Sequence, residues 1–104
     1  MFKNLKNKKS EEKLLANNES IKDMVVRCDL LINMSDVPEV KEAIRVMRDE
    51  IKYLKLSSKG EAKTLEKKIS NRLDDLKLCI NKKERAIAAI NELKKMIKER
   101  DIIA

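Results

Sequence analysis

The sequence predicts an all-α protein, an antiparallel three-helix bundle of coiled-coil character with a long C-terminal third helix. Three observations carry that expectation. Glycine and proline occur once each in 104 residues, so helix breakers are nearly absent. Apolar residues recur at three- and four-residue steps along most of the chain, which is the period of one helix face. Aromatic side chains are limited to Phe2 and Tyr53, which leaves an aliphatic core of the kind found in bundles. The length suits one domain.

The elements follow in order. Residues 1–9 are polar, basic and aperiodic, and are expected to form a flexible tail. A first helix is expected over about 10–34, with Ser10 as its cap and Glu11 and Glu12 in its first turn. Leu14, Ile21, Met24, Val25, Cys28, Leu31 and Ile32 form its apolar face. The next boundary is Asp36-Val37-Pro38-Glu39, which reads as a capping box with proline in the first turn. Helix two, over about 37–57, carries Val37, Val40, Ile44, Met47, Ile51 and Leu54 in a heptad seam. Ser57-Ser58-Lys59-Gly60 ends it, with Gly60 suited to a left-handed C′ position.

From residue 61 to about 102 the pattern runs on without a strong breaker. Ile69, Leu73, Leu76, Ile80, Ile87, Ile90 and Ile97 share a seam widened by Leu65, Cys79, Ala86 and Leu93. A continuous helix there would be ~60 Å long, against ~37 and ~30 Å for the first two. Its last twenty residues would therefore overhang the bundle and expose an apolar stripe. A second copy of the helix, in a symmetric homodimer, or a partner helix would cover it. Ile87, Ile90, Leu93 and Ile97 are the predicted interface. The alternative is a kink at Asn81-Lys82-Lys83 that folds residues 84–102 back as a fourth helix.

Catalytic chemistry has little to work with. The chain has no histidine, the commonest general base and metal ligand. Two cysteines fifty-one positions apart make no zinc knuckle, and both fall on apolar faces where a small core role is expected. The adjacent acid pairs Glu11-Glu12, Asp49-Glu50 and Asp74-Asp75 diverge by about 100° on a helix and do not converge on a metal or sugar. One glycine excludes a phosphate-binding glycine loop. Tyr53 is expected to pack at the rim of the helix-two seam, and Met24, Met34, Met47 and Met96 to fill core space. No enzymatic activity, cofactor or metal is expected.

The net charge of +7 permits a polyanionic partner. It comes as +3 in residues 1–13, −1 in 14–34, +1 in 35–60 and +4 in 61–104, with opposite signs interspersed beyond the tail. The expected function is a protein–protein interaction or structural module that self-associates. Nucleic-acid or anionic-surface binding through dispersed lysines and arginines is the alternative, and the chain lacks base-stacking aromatics for it. No apolar run approaches the ~20 residues of a membrane span. A cytoplasmic location with reduced thiols is expected.

Overall fold

The computed structural model describes residues 19–57 and 59–103 of the chain. Among these residues there are four helices and no strand. Helix α1 occupies 19–34, α2 Pro38–Lys52, α3 Gly60–Leu78 and α4 Lys83–Ile103. The expected tail over 1–9 and the Ser10 cap lie outside the described residues.

Each helix buries the seam its spacing defines. On α1 these are Ile21, Met24, Cys28, Leu31 and Ile32, and on α2 Val40, Ile44, Met47 and Ile51. Helix α3 contributes Ile69, Leu73 and Leu76, and α4 contributes Ala86, Ile90, Leu93 and Ile97. They join in one aliphatic core, with Leu54 and Ile80 closing its ends from the connections.

Side-chain contacts define the topology. Arg48 of α2 meets Asp29 of α1 at 2.7 Å across a three-residue turn, so these helices form an antiparallel hairpin. Arg72–Glu92 and Glu66–Arg100 set α3 and α4 antiparallel in the same way. Glu39 lies against Lys83, and Glu50, eleven residues on, lies against Lys94, eleven residues on, so α2 and α4 run parallel. Arg27 meets Asp74, and Ser35 meets Ile80, so α1 and α3 also run parallel. The helices alternate up and down, but α2 and α3 sit across the diagonal. Between them Lys55 and Lys59 lie at the end of the bundle, where Arg100, Asp101 and Ile103 at the end of α4 hold them.

The continuous third helix is not what the structure contains. The chain breaks after Leu78: the amide of Cys79 bonds to the carbonyl of Leu76, and that of Lys82 to the carbonyl of Cys79 at 2.9 Å. Helix α4 then folds back along α3, the fold-back about Asn81. A helix break forfeits a few hydrogen bonds worth about 1 kcal/mol each net. Burying Ile90, Leu93 and Ile97 returns about 1.5–3 kcal/mol apiece. The freed backbone is also satisfied: the Ser35 hydroxyl donates to the Ile80 carbonyl at 3.2 Å, and Asn81 Oδ1 accepts the Asp36 amide at 2.9 Å. Two turns at one end of the bundle are thus clasped together.

Smaller expectations are also corrected. Val37, not Asp36, holds the N-cap position of α2, and no side chain caps it. The Asp36 amide is turned toward Asn81, and the Ser35 hydroxyl takes the Val37 amide instead. Helix α2 ends at Lys52, short of residue 57. Gly60 opens α3 rather than closing α2, and no described residue has a positive φ. Tyr53, expected at the rim of the seam, is 78% exposed at the C-cap of α2. Met34 is exposed, whereas Met24 and Met47 are core.

Candidate interaction surface

Helix α1 differs from its neighbours in carrying two apolar faces. One faces the core. The other is the row Val26, Leu30 and Met34, spaced four residues apart and 54%, 57% and 42% exposed. Residues four apart stack along one stripe of a helix. The other helices each leave a single large aliphatic outside: Val46 on α2, Leu78 on α3 and Ile102 on α4.

Ion pairs on both flanks orient this row. On one side the Arg27 guanidinium is bound by Asp23 of its own helix at 3.1 Å and by Asp74 of α3 at 3.2 Å, and it donates to the Ser70 carbonyl. On the other side Asp29 accepts from Arg48 of α2. That bond, with the neighbouring Asp49, raises the Arg48 pKa and keeps its charge fixed. Pinned at both edges, α1 presents Val26, Leu30 and Met34 outward. Between α1 and α3 the row borders a recess of about 130 Å³ lined by Leu30, Leu31, Met34 and Leu73, with Arg27, Asp74 and Lys77 at its rim.

The predicted interface residues lie elsewhere. Ile90, Leu93 and Ile97 are buried in the chain's own core, and Ile87 is half-buried against it. The overhang that motivated them is absent, because α4 folds back on α3. The outward row on α1 was readable as an i, i+4, i+8 series, but it lies beside the stronger inward series of Ile21, Met24, Cys28 and Leu31. On the outer side of α2, Glu42 pairs with Arg45 at 3.4 Å. Asp74 and Glu92 bind Arg27 and Arg72 across helices.

Reactive groups do not converge. Among the described residues no group of three or more Cys, Asp or Glu could hold a metal. Burial, reinforced by the charge of Asp29, pushes the Cys28 thiol up to about 12, so it stays protonated and is a poor nucleophile. Cys79 is half-buried in the α3–α4 turn, its thiol directed at the Asp75 carbonyl. Glu39, in the first turn of α2, is held below the usual carboxylate range by its own backbone amide and by Lys83. It works as a clamp between helix starts. Among the described residues no helix is long and apolar enough to cross a membrane. Compared with known protein families, curated proteins and solved structures, the chain matches none.

Proposed function

We propose that the protein is a non-enzymatic helical interaction module that self-associates through the outward row of α1. The observation that carries this reading is Val26, Leu30 and Met34 standing exposed over a core that is already closed. Clustered exposed aliphatics on a small domain mark an interaction site more often than chance. Charge favours a second copy as the occupant. The chain carries +7, yet residues 19–36 hold four acidic and two basic side chains. Like-charged copies meet with least repulsion on this face. Most soluble oligomers are symmetric and join like surfaces. Arg27, Arg45, Arg48, Arg72, Lys83 and Lys94 each lie within 3.8 Å of a carboxylate, which weakens the pull of these six cations on a polyanion.

Light scattering on the wild type and on Leu30→Asp tests this. The wild type should exceed the monomer mass as concentration rises. Leu30→Asp should remain monomeric with an unchanged helical spectrum, because a surface substitution alters stability by only about 0.5 kcal/mol. A wild type that stays monomeric, or an oligomer indifferent to Leu30→Asp, overturns the proposal.

A further inference from the structure

The end of the bundle crossed by the α2–α3 connection has a different character from the α1 face. From Ile51 to Gly60 the sequence holds Lys52, Lys55 and Lys59 and no acidic residue. All three lysines are exposed. Between them Tyr53 is 78% exposed and Leu56 48%. The α4 C-terminus adds Ile102, 84% exposed, at the same place. This juxtaposition is held firmly. The Lys55 amide donates to Asp101 at 3.4 Å, the Lys55 carbonyl accepts from Arg100, and the Lys59 ammonium donates to the Ile103 carbonyl at 3.0 Å. The Lys52 ammonium stands 5.7 Å from the centre of the Tyr53 ring.

We infer that this end of the bundle docks on an anionic lipid bilayer, with Tyr53, Leu56 and Ile102 entering the headgroup layer and Lys52, Lys55 and Lys59 bound to the lipid charges. The chemistry selects this occupant. Lysines surrounding protruding aliphatics, with an aromatic ring that has an apolar body and a polar tip, match an interface that is anionic outside and apolar beneath. A nucleic acid would leave the two aliphatic side chains in water, and the single tyrosine offers no stacking series. Asp49, Glu61 and Glu99 are the exposed acids in the flanking helix ends, and Asp101 Oδ1 accepts the Lys55 amide. The Lys55 backbone is held by α4 at both its amide and its carbonyl, so docking orders little chain there. The inference does not depend on the self-association reading and uses none of its residues.

Co-sedimentation of the full chain with vesicles tests it, comparing phosphatidylcholine alone with an equimolar phosphatidylcholine and phosphatidylserine mixture. Binding should appear only with phosphatidylserine. Replacing Lys52, Lys55 and Lys59 together by Gln should weaken it on the order of a hundredfold, since each cation near an anionic surface contributes roughly a factor of five. Tyr53→Ser with Ile102→Ser should remove the part of the binding that survives raised salt, where charge attraction is screened. All of these positions are exposed, and circular dichroism should show that the variants keep their helices. Four results overturn the inference. They are no sedimentation with phosphatidylserine, binding unchanged by the lysine triple variant, binding lost only when the lysines of residues 1–13 are replaced, and lysine-dependent retention of duplex DNA without vesicle binding.

Discussion

Glu66 and Arg100 are the most deeply placed charges among the described residues, with side chains 5% and 0% exposed and their closest charged atoms 4.0 Å apart. The Lys55 carbonyl takes one guanidinium nitrogen. Neither Glu66 oxygen, nor Nε and Nη2 of Arg100, has a hydrogen-bond partner in the structure. Such a pair gives back little of the cost of taking both ions out of water. Glu66→Ala, which strands the guanidinium, should therefore destabilise by about 3–5 kcal/mol, whereas Glu66→Leu with Arg100→Met should be neutral or stabilising by about 1–4 kcal/mol. Denaturant titration of the two singles and the double measures this, and a double variant as unstable as the singles would show the pair to be net favourable. Cys28 makes a separate case at the same scale. Its thiol moves from 9.0 toward about 12 on folding, so the unfolded chain ionises first. Stability from this group is full below pH 9.0 and is lost as pH rises through that window. Cys28→Ala should flatten the alkaline decline of the unfolding midpoint, and thiol labelling of the native protein should reach Cys79 well before Cys28.

Helix α4 shows what a break does to a prediction of interface. In a continuous helix, Ile90→Asp would release a folded monomer. In the fold present here it places a carboxylate in a sealed aliphatic core. The cost of several kcal/mol rivals the entire stability of a small domain. Circular dichroism should show Ile90→Asp as poorly folded as Ile44→Asp, and a well-folded Ile90→Asp chain would contradict the four-helix core. The seams themselves were legible in the sequence: Val40, Ile44, Met47 and Ile51 are buried as their heptad spacing requires, and so are Ile69, Leu73 and Leu76. The break at residues 79–82 was legible only as an alternative. It carries no glycine or proline, and what secures it is Ser35 and Asn81 meeting from opposite halves of the chain. Arg100 continues the seam of Ala86, Ile90, Leu93 and Ile97, and Glu66 that of Ile69, Leu73 and Leu76; their spacing was legible, but a charge at a seam position near a helix end reads as solvated. On α1, Val26, Leu30 and Met34 were spaced legibly but were masked by a second, inward series on the same helix.

The whole molecule combines two hairpins, α1–α2 and α3–α4, joined by one connection across the diagonal. Its surfaces divide accordingly. The flank of α1 offers aliphatics with a net negative charge, and the crossing end offers lysines around Tyr53, Leu56 and Ile102. A copy joined through the first would leave the second free. The diagonal crossing also dictates how the chain finds this arrangement. Each hairpin closes over a short turn, a local event of the microsecond class. The contacts between hairpins are far apart in sequence, 47 residues for Arg27–Asp74 and 45 for Ser35–Ile80. They carry the larger loop-closure entropy, so docking of the two halves is the expected slow step of folding. The hold of Arg100 and Asp101 on Lys55 forms only once the halves are docked. It accordingly sets how slowly the protein comes apart rather than how quickly it assembles.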